Sequence, residues 1–255
     1  MMSSVILVGG LDVAELALYM FFGFFIVLVW YLNKESRREG YPLEYDVSGI
    51  VGEELFRIGD IKPKSFQLPH GLGTTYAPNG QRDAMPENVL PRAYDGTPLD
   101  VVGEKLGSGL GPGGYAPRAD RPDLDMFGRP RIIPMHLDDH ITVHTNDVDP
   151  RGLPITGLDG NVAGTVRDLW VDRSEHVIRY LDVALTSGGT ATVPMPMVRI
   201  SRGLVHLDAV TAAQFAGSPQ LKSTDQITLL EEEKVQAYFG AGYLWATPER
   251  SEPLL

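Results

Sequence analysis

Cysteine is absent from all 255 residues. Its absence excludes disulfides, thiolate metal sites, iron–sulfur clusters and cysteine nucleophiles, and it suits a reducing compartment. Basic residues are scarce: 22 Lys and Arg stand against 33 Asp and Glu, a formal charge of −11. Phosphate neutralisation needs concentrated cations, so no nucleic-acid partner is expected. Anionic lipid repels such a body everywhere except beside Lys34, Arg37 and Arg38, while an acidic surface gathers cations and protons. Internal repeats are lacking. Long apolar runs are lacking too, with one exception.

That exception is Leu16 to Leu32, LALYMFFGFFIVLVWYL, seventeen residues without a charge. At about 1.5 Å per residue it covers ~26 Å, or ~30 Å counted from Val13, the thickness of a bilayer core. No face of it is polar, and Tyr19, Trp30 and Tyr31 stand near its ends as an interfacial aromatic belt would. A cleaved signal peptide fits poorly, because no basic segment precedes the run and no A-x-A site follows it. The pattern predicts one transmembrane helix. Residues 1–15 contain no Lys or Arg, whereas Lys34, Arg37 and Arg38 follow the span. The positive-inside rule then places the N-terminus outside and the rest of the chain in the cytoplasm.

From Gly40 to Met135, twelve prolines and fifteen glycines fill 96 residues, a density typical of low-complexity chain. Yet Tyr41, Leu43, Phe56, Phe66, Tyr76, Tyr94, Tyr115 and Phe127 recur through it more often than in disordered linkers. The expectation is extended chain that gains order by lying on its own domain or on a partner. After Ile132 the pattern becomes short strands: His140–His144, Val162–Val171, Val177–Leu185, Ala191–Val193, Met197–Ile200 and Leu204–Leu207, parted by Asp-Gly, Ser-Gly-Gly and Arg-Gly turns. A small antiparallel barrel or sandwich follows. Short helices are expected over Val210–Phe215 and over Leu229–Tyr238, the second opened by a Thr228/Glu231 capping box and stopped by Gly240.

Several motifs carry less chemistry than they suggest. Gly109-Leu-Gly-Pro-Gly-Gly114 matches G-x-G-x-x-G but lacks the flanking strand and helix that would aim amide groups at a phosphate. His136, His140 and His144 have helical metal-ligand spacing, but on a strand the last two stand ~13 Å apart, too far for one ion. Ser174-Glu-His176 are sequence neighbours and cannot form a relay, and no G-x-S-x-G elbow occurs. More suggestive are Asp168, Asp172, Glu175, Arg179 and Asp182 around one strand pair. Arg179 shares a face with Leu181 and Val183, so it needs a carboxylate, supplied by Glu175 or Asp172. The set reads as a structural ion pair or as a proton-handling cluster.

Six stretches, in order along nearly the whole chain, resemble the H subunit of the purple bacterial photosynthetic reaction centre. They are Arg38-Glu-Gly-Tyr-Pro-Leu43 after a single span; Lys62-Pro-Lys-Ser-Phe-Gln-Leu-Pro-His-Gly71; and Asp149-Pro-Arg-Gly-Leu-Pro154 with Asp168-Leu-Trp-Val-Asp172. Gln214-Phe-Ala-Gly217, Gln226-Ile-Thr-Leu-Leu-Glu231 and Ala241-Gly-Tyr-Leu-Trp-Ala-Thr-Pro248 complete the set.

The resemblance implies a single N-terminal transmembrane helix plus a mainly-β cytoplasmic domain, a PRC-barrel-like small antiparallel barrel, with an extended Gly/Pro-rich region and a short C-terminal helix. The expected borders are a periplasmic N-terminus at 1–11, the span at 12–33, an extended membrane-proximal region packed on partner subunits at 34–135, the barrel domain at 136–247 and a tail at 248–255. The implied protein is no enzyme. It is an accessory subunit that stabilises the L and M subunits, shields the quinone sites and conducts protons from the cytoplasm to the secondary quinone. It binds no cofactor or metal itself, while its partners hold bacteriochlorophyll, bacteriopheophytin, quinones and a non-haem iron. A light-harvesting 1 antenna, a cytochrome subunit and membrane lipids are further expected neighbours in the photosynthetic inner membrane. By the same resemblance Glu175, Asp172 and Arg179 lie on the proton route, and Asp125 lies at its surface uptake point. Some members carry two histidines beside that aspartate, where this chain has Phe127 and Arg129. A histidine-built uptake site is therefore not expected, and His136, His140 or other surface carboxylates are the substitutes. The rival reading is a membrane-tethered PRC-barrel adaptor that docks another assembly.

Overall fold

The computed structural model describes residues 6–8, 11–45, 48–51, 61–81, 86, 88–90, 94, 96–97, 99–201 and 203–251. Phe56 and the end of the tail lie outside the described residues. The chain divides into two compact units, Met1–Glu87 with Pro91–Pro98, and Asn88–Leu90 with Leu99–Leu255.

In the first unit, strand β1 (Ile6–Val8) pairs antiparallel with β2 (Leu11–Asp12), and helix α1 runs from Val13 to Ser36. Asp12 caps α1: its carboxylate accepts from the Glu15 amide at 2.8 Å, and the Glu15 side chain reaches back to the Asp12 amide. The cap and a polar last turn make α1 longer at both ends than its uncharged stretch. None of its side chains is buried, and it is long and apolar enough to cross a membrane. Farther on, β3 (Lys64–Gln67) and β4 (Thr74–Ala77) form a hairpin. Its tight loop places His70, Gly71 and Gly73 at positive φ.

The second unit opens with the short pair β5 (Val89–Leu90) and β6 (Asp100–Val101). Its β-domain comprises β7 (Ile132–Pro134), β8 (Pro154–Thr156), β9 (Val162–Asp172), β10 (Val177–Leu185), β11 (Thr190–Pro194), β12 (Val198–Ser201) and β13 (Leu204–Leu207). These make one sheet in the order β11-β10-β9-β8-β13-β12, with β7 on β9. Every pairing is antiparallel except β8 with β13. The core holds Ile155, Leu169, Val171, Leu181, Val183, Val193, Val205 and Leu207, closed over by Phe215 and by Val235 and Phe239 of helix α2 (Leu229–Trp245). Glycine lets backbones close up where strands cross the core: a Cβ on Gly164 would meet the Ala184 carbonyl at 2.2 Å.

The Gly/Pro-rich chain from Leu99 onward lies on this same domain. Leu106 is buried in its core, the Arg121 carbonyl accepts from the Leu229 amide at 3.0 Å, and Thr228 Oγ1 donates to Asp120 at 3.0 Å.

Three expectations are corrected. His140–His144 is loop, because Asp138 caps the turn beneath it through the His140 amide. The Val210–Phe215 helix is a 3₁₀ segment at Ala212–Gly217. Gly240 does not stop α2, which continues through Gly242 to Trp245. Gly242 faces the domain so closely that a Cβ would lie 2.4 Å from the Ala209 carbonyl. That glycine serves packing, whereas a helix stop needs a left-handed residue just past the end.

Candidate functional site

The tight turn joining β9 to β10 presents a dense group of charged side chains. Asp172 ends β9, and its carboxylate accepts from the amides of Ser174 (2.9 Å) and Glu175 (3.0 Å), which folds the four residues 173–176 back on themselves. His176 completes the return at φ +56°. β7 pairs Ile132 with Asp172, so Arg131 arrives beside the turn. Its Nε lies 2.8 and 3.0 Å from the two Asp172 oxygens, its second terminal nitrogen reaches Glu175, and the other lies 3.4 Å from Asp123.

Asp172 is 1% exposed. Burial alone would push its carboxyl up. The Arg131 guanidinium and the Glu175 and Ser174 amides outweigh that, so the group sits below the usual carboxylate range and stays ionised. The Asp172 carboxylate, followed by that of Glu175, in turn raises Arg131 against the opposing effect of burial. Glu175 remains half in solvent.

Next to Asp123 the chain doubles back through a Leu124–Pro130 bridge. Asp125 sits inside that loop and accepts from the amides of Phe127 (2.8 Å) and Arg129 (2.9 Å), with the Arg129 guanidinium at 2.8 Å. The Arg129 amide chiefly, then its guanidinium and the Phe127 amide, hold this carboxyl low against the opposing effect of burial. Asp125 and Asp172 are thus fixed anions that organise turns.

Arg179 belongs to a different group. β10 shifts register between Ile178 and Tyr180, leaving Arg179 as the extra residue of a bulge. The bulge turns it away from Asp172 and Glu175, and its carboxylate partner is Glu232 of α2, at 3.9 Å. Glu232 accepts from the buried Tyr180 hydroxyl at 2.8 Å, and Gln236 donates to that hydroxyl at 2.9 Å. Burial, aided by the nearby Asp123 charge, pushes Glu232 up despite Tyr180 and Arg179. Burial also drives Tyr180 well above its ordinary range. Arg179, Tyr180 and Gln236 line a recess of about 380 Å³, walled by Ile178, Pro194 and Met197.

The structure therefore joins Asp172 and Glu175 through Arg131, and places Arg179 and Asp125 in neighbouring but separate networks. Arg131, Asp123 and Glu232 were not reached from sequence. The start of a strand at Ile132 was the signal for Arg131, but its pairing with Asp172, 40 residues on, carries no local mark. His136 meets Asp168 at 2.5 Å, while His140 and His144 take part in local turns. A further relay links Thr156 to His206 (2.9 Å), His206 to Asp208 (2.7 Å) and Asp208 to Arg199 (2.5 Å). Among the described residues no group of three or more His, Asp or Glu is arranged to hold a metal ion.

Residues 5–137 match the photosynthetic reaction centre H-chain N-terminal region, and residues 143–214 match the PRC-barrel domain. The first match alone covers more than half of the chain. The protein belongs to the photosynthetic reaction centre H-chain family. It is a membrane-associated accessory subunit of a reaction-centre complex, and the β-domain is a PRC-barrel domain.

Proposed function

We propose that this H chain caps the quinone end of the L and M subunits and conducts protons from the cytoplasm to the secondary quinone. Its α1 crosses the photosynthetic membrane with the N-terminus in the periplasm. The observation that carries the reading is the ionic network on the β9–β10 turn, where Arg131 ties Asp172, Glu175 and Asp123 together beside the Asp125 loop. In this reading pigments, quinones and iron stay on partner subunits, and membership of the H-chain family supports it.

Within the network the roles divide by environment. Asp172 and Asp125, held low, remain anions and fix the turns. Arg131 balances Asp172, and Arg129 balances Asp125 in the adjoining loop. Glu175 is the exposed carboxylate at the end of the chain of charges, suited to take a proton from solvent and release it toward a partner surface. Arg179, on its bulge, sets the charge near that route and keeps Glu232 from standing alone in the interior.

Reduction of a quinone to quinol takes two protons, so slowing their delivery slows the electron transfer coupled to it. Glu175→Gln keeps the shape and removes the ionisable proton carrier. In the assembled complex, flash kinetics should show slower proton-coupled transfer of the second electron, with primary charge separation unchanged. Wild-type second-electron kinetics in that variant at neutral pH would remove Glu175 from the route. Contacts with L and M are checked by purification through a tag on this chain, which should bring down bacteriochlorophyll-bearing subunits.

A further inference from the structure

The first unit contains a feature that proton conduction does not use. Five cations, Lys34, Arg37, Arg38, Lys62 and Lys64, gather where α1 ends, against Glu35 and Glu39. The local charge is +3 in a chain of −11. Only Lys34, Arg37 and Arg38 are neighbours in sequence. Lys62 and Lys64 are brought in by the β3–β4 hairpin, which Arg38 fastens to the helix end. The Arg38 guanidinium forks onto Glu35 at 2.8 Å through two nitrogens and donates to the carbonyls of Lys62 (2.8 Å) and Ala77 (3.2 Å), one from each side of the hairpin. Lys64 closes the ring on Glu35 at 3.4 Å.

This arrangement spends Arg38 and Glu35 on structure and leaves Lys34, Lys62 and Lys64 at the surface. Two of the three are paired with apolar area: Lys34 lies over the Trp30 ring at 5.4 Å, and Lys64 over Phe66 at 5.6 Å. Phe66 and Tyr76 are exposed at 41% and 55%, although both lie in a regular hairpin. Strand alternation puts Lys64 and Phe66 on one face and Tyr76 on the other. Exposed aromatic rings beside lysines, at the end of a helix long enough to span a bilayer, have the composition of a membrane interface.

We propose that the end of α1 and the β3–β4 hairpin together form a binding platform for anionic phospholipid headgroups. Phosphate sits among Lys34, Lys62 and Lys64, and Phe66, on the same hairpin face as Lys64, lies at the level of the acyl boundary. The proposal rests on α1 crossing the membrane. Charge selects the occupant: the rest of the chain is strongly acidic, so this is the one stretch that an anionic leaflet attracts. Each basic side chain near such a surface is worth about fivefold in affinity, so three should give on the order of a hundredfold.

The full-length chain is reconstituted in nanodiscs of phosphatidylcholine with phosphatidylglycerol, and the motionally restricted fraction of spin-labelled lipid is read for each label. Restriction of the phosphatidylcholine label reports insertion of α1 by itself, so failure of the spanning reading is seen separately. The expected result is a clear preference for the phosphatidylglycerol label that falls with salt, disappears in the triple variant Lys34→Gln/Lys62→Gln/Lys64→Gln, and survives when the same three residues become Arg. No preference in the wild type, or a preference untouched by the triple variant, overturns the proposal. So does a preference lost on adding the reaction-centre core, which would assign the platform to a protein partner.

Discussion

At the scale of single residues, the carboxylates of this protein divide by what surrounds them. Asp172 and Asp125 are drawn down by guanidinium and amide donors, so their folded-state values lie below the unfolded ones. The stability they contribute is present above the unfolded value of ~3.9 and is lost as pH falls through the folded value. Asp172→Asn should therefore destabilise the chain by about 2 kcal/mol at neutral pH, because Arg131 keeps Glu175 but loses its buried partner. Thermal melts in detergent should show the gap between variant and wild type closing in acid. Equal melting temperatures at pH 7 would mean that the turn does not need the charge.

Glu232 has the opposite sign. Burial raises its folded-state value, so ionisation burdens the fold once pH climbs past ~4.3 and continues to do so through the folded value. A glutamine at 232 can still accept the Tyr180 proton without holding a buried charge. Glu232→Gln is expected to melt higher than wild type at pH 8 and alike near pH 4. A variant less stable at pH 8 would show that the Arg179 pair outweighs desolvation. The sequence put Arg179 beside Glu175 or Asp172 by counting faces on a regular strand. A single bulge shifted every residue before Tyr180 by one position, and nothing in VIRYLDVAL announces a bulge.

At the scale of elements, α2 tests how glycine should be read. Gly240 has nothing within 4 Å of where a Cβ would stand, whereas at Gly242 that atom would lie 2.4 Å from the Ala209 carbonyl and 2.6 Å from Val210. Gly240→Ala should stabilise by about 0.5–1 kcal/mol through helix propensity alone. Gly242→Ala gains the same propensity but forces two backbones apart, and should lose about 2–3 kcal/mol net. Denaturant titration of the two variants would settle it, and a stabilising Gly242→Ala would refute the packing account. Elements whose cause is local were legible in the sequence: the uncharged run of α1, the Thr228/Glu231 box, and the strands Val177–Leu185 and Leu204–Leu207 bounded by turn residues. What escaped depends on distant partners. The parallel pairing of β8 with β13 is such a case; of the two supports expected for the Gly/Pro-rich chain, its own domain or a partner, the stretch after Leu99 uses its own domain.

At the scale of the whole molecule, charge is distributed to one purpose. Residues 1–33 carry only Asp12 and Glu15, the segment after α1 is basic, and the remainder is acidic enough to bring the total to −11. The positive-inside rule predicts that the end followed by these cations lies in the cytoplasm, the side on which the proposed proton role needs the chain after α1. Its acidity concentrates protons and other cations near the network around Arg131, and that advantage shrinks as salt shortens the screening length from about 10 Å at 0.1 M. Sidedness can be measured directly on sealed vesicles with an epitope fused after Leu255. In vesicles with the cytoplasmic face outward, added protease should remove the epitope and leave a membrane-protected fragment near the size of residues 1–40. In vesicles of the opposite sense the epitope should survive until detergent is added. Protection in the first preparation would reverse the orientation. It would also separate the acidic unit from the proton supply that the proposed role requires.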